Sequence, residues 1–294
     1  MDNFLDKIFF RSRNLDYISQ NLINLTNQTP AKRIFEALNT YSESSEVRYV
    51  GGCIRKIIKK EIVDDIDLAT NLKPNEVCDA LKKQDINYYE TGIEHGTITA
   101  IIDDYKYEIT SLRKDVSTDG RHAKVEFSSD WKEDAARRDF SINSIYSDKD
   151  GNLFDPYNGK KDLESGKINF IGDSENRIKE DYLRILRYVR FFINYSNQSH
   201  DLNIIKKIKK NIGGVSKLSS ERLLDEFKKL TKWNAFIKIF NDKVSLELIE
   251  IIFPQLKNLE NFKKLNSYAL DNLSKVDFIF LLSLLIVDGT DNTC

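Results

Sequence analysis

Cysteine is scarce in this chain. The 294 residues include three, Cys53, Cys78 and Cys294, an odd number at wide spacing. They form neither a CxxC pair nor a disulfide framework, which excludes a stapled secreted scaffold and points to a reducing compartment. Proline is scarce too: there are four, and beyond Pro156 only Pro254 interrupts the chain. Long apolar runs are missing. The longest, Phe278–Val287, has ten residues including Ser283, about half of the roughly 20 that a membrane span needs. The opening "MDNFLDKIFFRSRN" mixes charges into its apolar residues and lacks the apolar core of a signal peptide. Neither charge sign dominates, with 45 basic and 46 acidic side chains. No global field draws in a polyanion, so any nucleic-acid contact must be a local patch.

What is present fits a soluble, cytoplasmic protein. Hydrophobic residues make up 40% and charged residues 31%, a globular composition, and the length suits one large or two ordinary domains. Residues 1–30 read as a polar N-terminal helical extension. From 31 to 155 the pattern alternates: Val47–Val50 strand-like, Cys53–Lys60 helical, Asp65–Ala69 strand-like, Pro74–Gln84 helical, and 96–113 a strand pair around a "DD" turn. After a turn-rich stretch at 154–163, helical periodicity takes over and strand signals vanish. The expected fold class is α+β: a mixed sheet with helices, then an all-helical neck over 156–232 and a helical body beginning at 233–294.

The chemistry concentrates at "VDDIDLAT" (63–70). Along an extended strand, residues two apart share a face, so Asp65 and Asp67 point one way and Asp64 and Ile66 the other. Two carboxylates about 6–7 Å apart repel unless a cation lies between them. Oxygen-only ligands suit Mg²⁺, which completes its shell with water and phosphate. Alone, such a pair is as readily a solvated turn. Upstream, however, "VGGCIR" (50–55) places Gly51 and Gly52 after a strand and at a helix start, where free N–H groups face outward. Arg55 follows one turn later, within reach of a phosphate. Gly-Gly, Arg and DxD within 17 residues point to a triphosphate held against metal.

"GGCIR" followed by "DIDLAT" resembles the nucleotidyltransferase signature of class II tRNA nucleotidyltransferases and bacterial poly(A) polymerases, of the polymerase-beta-like superfamily. Four further segments resemble that family's later motifs in order: "HGTITAIIDDYKYEITSLRKD", "ARRDFSINSIYSD" (136–148), "EDYLRILRYVRF" (180–191) and "SSERLLDEFKKL" (219–230). Lys56 departs from the acidic or amide residue usual after the first arginine. The resemblance implies a polymerase-beta-like head, Mg²⁺ on Asp65 and Asp67, and transfer from CTP or ATP to the 3′ end of tRNA. It makes Arg138 a triphosphate contact and puts Asp139 and Asn143 near the ribose. Asp181 and Arg184 would read the edge of the incoming base, with Arg187 and Arg190 orienting them. Glu108 is either a third acidic residue or a strand-face ion-pair partner. Residues 114–134, with no strong periodicity, resemble a mobile loop carrying Asp119, Gly120, Arg121 and His122.

From spacing alone, Asp181, Arg184, Arg187 and Arg190 form a slanted row on one helix, and arginine rather than lysine suits planar multi-donor bonding. Lys206, Lys207, Lys209 and Lys210 are either a solvated face or a contact to RNA phosphates. Glu221, Arg222 and Glu226 read as bracing. The family generally continues for about another hundred residues, so the apolar segment 278–287 is expected to meet a second copy or a separate C-terminal partner. Three alternatives stay open: poly(A) synthesis, A-only or CC-only addition, and a silent RNA-binding relic.

Overall fold

The computed structural model describes residues 16–118, 123–231, 234–262, 264, 265, 272 and 276–287. Residues 1–15, Asp119, Gly120, Arg121, His122 and Cys294 lie outside the described residues. Two compact units emerge. The first takes in 1–114, 125–138 and 142–160, and the second 115–124, 139–141 and 161–294.

The first unit is built on a seven-stranded mixed sheet. Its strands are β1 (Val47–Val50), β2 (Ile66–Thr70), β3 (Asn87–Gly92), β4 (Thr97–Ile102), β5 (Tyr105–Ser111), β8 (Tyr146–Ser147) and β9 (Leu153–Phe154). They lie in the order β3-β4-β5-β2-β1-β8-β9. β2 and β5 run parallel, which sets Asp67 directly beside Glu108. Alternation decides which face is covered. Along β5, Tyr107, Ile109 and Ser111 are buried while Lys106 and Glu108 are exposed, so Glu108 stands on the face away from the core.

Helices α1 (Tyr17–Gln28), α2 (Ala31–Asn39), α3 (Gly52–Ile58) and α4 (Pro74–Lys83) supply Leu22, Ile34, Phe35, Leu38, Ile54, Val77 and Leu81 to the core around Tyr49, Leu68, Ile98 and Tyr107. Local signals set their starts. Asp16 accepts from the Ser19 amide at 2.8 Å to cap α1, and α4 opens with Pro74 while Glu76 accepts from the Lys73 amide at 2.7 Å. The β4–β5 hairpin turns at Asp103, whose φ of 52° aspartate tolerates.

Two stretches differ from expectation. β6 (Arg113–Thr118) and β7 (Ala123–Phe127) pair as a separate two-stranded sheet where an irregular loop was expected. α5 (Trp131–Arg137) then begins at Asp130, which caps the amides of Lys132 and Glu133. The signal lay in β7, where Ala123, Val125 and Phe127 alternate with Lys124 and Glu126; β6, opening on Arg113, Lys114 and Asp115, carries none.

Among its described residues the second unit is helical apart from the β6–β7 residues and an isolated bridge between Phe140 and Phe170. Its helices include α6 (Gly159–Ser165), α7 (Ser174–Glu180), α8 (Leu183–Tyr195), α9 (Leu202–Asn211), α10 (Ser220–Leu230), α11 (Asn234–Asn241), α12 (Lys243–Ile252), α13 (Leu259–Phe262) and α14 (Phe278–Ile286). Ile185, Leu186, Val189, Phe191 and Phe192 bury one side of α8. Phe140 meets Phe170 and Phe191 at centroid distances of 4.6 and 5.4 Å. In α14, Leu281 and Leu285 are buried whereas Ile279 and Phe280 are exposed. Among the described residues no helix is long and apolar enough to cross a membrane.

Candidate active site

In the first unit, chemistry gathers at the turn between β1 and α3. Gly51 has φ +67°, a conformation that side chains rarely adopt, and a Cβ there would lie 3.8 Å from the Arg138 guanidinium. A Cβ on Gly52 would lie 3.8 Å from an Asp67 carboxylate oxygen. The turn therefore lies beside both a cation and an anion. Arg55, on the first turn of α3, donates to the Asn143 side chain, and Arg138 Nη1 donates to the Asn143 carbonyl at 3.3 Å.

Arg138 is positioned by a residue that the sequence reading passed over. Asp134, 1% exposed, accepts from Arg138 Nη2 at 3.1 Å, from Arg137 Nε at 2.8 Å and from the Tyr146 hydroxyl at 2.7 Å. Burial opposes its charge, but Arg138 and Arg137 outweigh burial and Tyr146 adds a hydrogen bond, bringing the carboxyl down to about 2. The signal was in "EDAARRD": an aspartate followed by arginines at i+3 and i+4.

Asp65 and Asp67 sit at the start of β2, with Glu108 across from Asp67. Asp64 faces elsewhere and pairs with Lys56. Burial, then the neighbouring Asp65 and Glu108 charges, push the Asp67 carboxyl up to about 6, against the pull of Arg138 and Arg55. Crowded like charges of this kind are relieved by a cation. Among the described residues no group of three or more His, Cys, Asp or Glu side chains encloses a metal unaided. Two carboxylates leaving the remaining positions to water and phosphate fit a divalent ion of the hard, oxygen-seeking kind.

The titration has a definite sign. The folded pKa of Asp67 exceeds its ordinary 3.8, so its protonated form favours the fold below about pH 4, and that contribution is lost as pH rises through about 6. A cation competes with that proton. We expect divalent-ion affinity to rise roughly tenfold from pH 5 to 7, and Asp67→Asn to abolish the slope. Calorimetric titration across that range checks this; a flat profile contradicts it.

The second unit holds a separate charged cluster. Asp181 is extended, with φ −153°, and closes α7 rather than riding on α8. The single row on one helix is therefore corrected: only the arginines ride on α8. The reason is a local turn, because the Asp181 carboxylate accepts from the amide two residues on, Leu183, at 3.1 Å. Its other oxygen accepts from Arg222 Nη2 at 2.8 Å. Arg184 donates to Glu180 and to the Arg177 carbonyl, each at 2.6 Å. Arg187 donates to Asp139 at 2.7 Å, and Arg190 pairs with the buried Glu226. Glu180 is the second residue passed over; its i,i+4 spacing to Arg184 was the available signal. On α9, Lys207 pairs with Asp173 at 2.8 Å, Lys209 with Glu247 at 2.6 Å and Lys210 with Glu175 at 2.9 Å, while Lys206 is exposed.

Residues 47–169 match the poly(A) polymerase head domain. That stretch of the chain belongs to that family. It is 39% identical over 246 residues to human mitochondrial CCA tRNA nucleotidyltransferase 1, covering 82% of this chain and 56% of that protein. It is 37% identical over 187 residues to the CCA-adding enzyme of Lactobacillus johnsonii, covering 63% and 46%. The chain thus spans about half the length of these curated relatives.

Solved structures share the fold of this chain. An apo form of a CCA-adding enzyme superposes with a TM-score of 0.71 at 20% identity, covering 92% of this chain and 67% of that one. The Bacillus stearothermophilus CCA-adding enzyme in complex with CTP gives 0.63 at 21% identity, covering 87% and 68%. The human relative is mitochondrial by name, so the cytoplasmic expectation rests on the sequence alone.

Proposed function

We propose that this family member transfers CMP and AMP, without a template, from CTP and ATP to the 3′ end of tRNA, building or repairing CCA in the cytoplasm. One observation carries the reading: the Gly51–Gly52 turn lies beside both the Asp67 carboxylate and the Arg138 guanidinium. That arrangement suits a triphosphate lying between a metal and a fixed cation. Relatives named CCA-adding enzymes and neighbours solved with CTP or with a primer tRNA and an ATP analogue support it.

Asp65 and Asp67 would hold Mg²⁺, with Glu108 completing the acidic set. A bound ion would supply the charge that lowers the pKa of the attacking hydroxyl and steadies the departing phosphate. Arg55 and Arg138 would bind the triphosphate, and Asp139 and Asn143 the ribose. The terminal 3′ hydroxyl would lose its proton to solvent as its oxygen bonds to the α-phosphorus, while the bond from that phosphorus to the oxygen it shares with the β-phosphate breaks and pyrophosphate leaves. Asp181 would accept from the exocyclic amine that both C and A possess, and Arg184 would donate to their ring acceptors. Arg187 and Arg190 would keep the reading groups oriented. Lys206, Lys207, Lys209 and Lys210 would meet RNA phosphates, which would take the place of weak, solvent-exposed ion pairs. In this reading 31–155 is the catalytic head, 156–232 the neck and 233–294 the start of the body.

Asp181→Ala tests the base-reading assignment. Preference for CTP and ATP over UTP and GTP should fall about tenfold or more, with a smaller loss in the rate of CTP use. Arg222→Gln removes the bracing partner while keeping the carboxylate, and should retain most of the preference. Equal losses for all four triphosphates with Asp181→Ala would contradict the assignment.

A further inference from the structure

Tyr182 lies at the joint between α7 and α8, next to Asp181. Its ring packs against the backbone of Gly214, in the 3₁₀ turn Ile212–Lys217. A Cβ on Gly214 would overlap the ring carbons Cδ1, Cε1 and Cζ. The φ of Gly214 lies outside the left-handed range, so its backbone conformation does not call for glycine; the ring does. Gly213, one residue earlier, has nothing within 4 Å of the equivalent position. The ring is also met by Lys217, with Nζ 5.7 Å from its centroid.

The same stretch of chain touches this joint a second time. The 3₁₀ turn leads into α10, whose Arg222 holds the Asp181 carboxylate at 2.8 Å. Asp181 is a single extended residue between two helices, and its carbonyl accepts from the Arg184 amide at 3.0 Å. A shift of the Tyr182 ring is therefore carried to Asp181 directly and to Arg184 through the first turn of α8. Arg222 constrains the carboxylate; the seat under Tyr182 constrains the backbone that bears it.

We propose that Gly214 is a positioning residue for nucleotide choice: by admitting the Tyr182 ring against its backbone, it sets the joint that aims Asp181 and Arg184. The proposal rests on reading those two residues as the base-selecting pair.

The test compares kcat and KM for CTP, ATP, UTP and GTP, with tRNA lacking its 3′ CCA as acceptor. The proteins are the parent, Gly213→Ala, Gly214→Ala, Tyr182→Ala and Gly214→Ala combined with Tyr182→Ala. Gly214→Ala should raise KM for CTP and ATP about tenfold, keep kcat within about threefold, and narrow the preference over UTP and GTP about tenfold. Gly213→Ala should stay within about twofold of the parent, because its methyl group enters open space. The double variant should match Tyr182→Ala alone, since the clash requires the ring.

Several results overturn the proposal: parental nucleotide preference in Gly214→Ala, equal losses for all four triphosphates with a lowered unfolding temperature, or additive losses in the double variant. A parent that adds no nucleotide removes the proposed function and this inference together. A discriminating parent with an equally discriminating Gly214→Ala removes this inference alone.

Discussion

Replacing Asp67 with alanine should lower nucleotide addition roughly a thousandfold or more, a loss of about 4 kcal/mol in transition-state stabilisation, while leaving the fold intact. The reason lies in how poorly the charge is accommodated without a cation. Burial and the Asp65 and Glu108 charges push this carboxyl up to about 6, so removing it takes away repulsion rather than a stabilising contact. The metal-free variant should unfold at a temperature no lower than the parent's, and tRNA affinity should stay within a few-fold. Asp65→Ala should behave likewise in activity. Asp64→Ala removes the pair with Lys56, in which the Asp64 carboxylate is 70% exposed, and should cost less than about twofold. Activity, melting temperature and filter binding on the three variants separate the cases. Retained activity in Asp65→Ala or Asp67→Ala would show that these carboxylates hold no metal.

Asp134→Ala should act in the opposite way, through stability first. This carboxylate is 1% exposed and accepts from two arginines and the Tyr146 hydroxyl. Truncation leaves buried donors without their acceptor, a change that costs about 3–5 kcal/mol. Arg138 would lose its orientation as well, so KM for the triphosphate should rise in whatever protein remains folded. The pH dependence follows from the depressed pKa. The folded value, about 2, lies below the ordinary 3.8, so the stabilisation is present above about pH 4 and is lost as pH falls through 2. Asp134→Ala should therefore show a shallower loss of stability over that acid range. Chemical unfolding at pH 7 and pH 3 measures both effects; a cost below about 1 kcal/mol at pH 7 would rule out this bracing role.

Most of what places the site was readable because it rests on local rules. Gly51 needs a positive φ, Pro74 starts a helix, and the "DD" at Asp103 turns a hairpin; each leaves its mark within a few residues. The β2–β5 pairing that sets Asp67 beside Glu108 joins residues 41 positions apart, and no local pattern announces it. Strands β8 and β9 have two residues each, too few for an alternation to register. Asp181 shows a different limit. Its spacing to Arg184 fits a helix, yet aspartate also favours turns in which its carboxylate accepts from the amide two residues on, and only the contacts with Leu183 and Arg222 decide between the two. Glu180 and Asp134 were hidden in plain charge clusters, where spacing suggests many pairs and burial selects a few.

The proposed activity is extension of a tRNA 3′ end by CCA. It is tested most directly by supplying tRNA that lacks those nucleotides with each labelled triphosphate, singly and together, in the presence of Mg²⁺. The account predicts two additions with CTP alone, a third when ATP is also present, and then a stop, with UTP and GTP rejected. A long tail from ATP alone would mark a poly(A) polymerase, and a single class of addition an A-only or CC-only enzyme. No incorporation from any triphosphate would contradict the account.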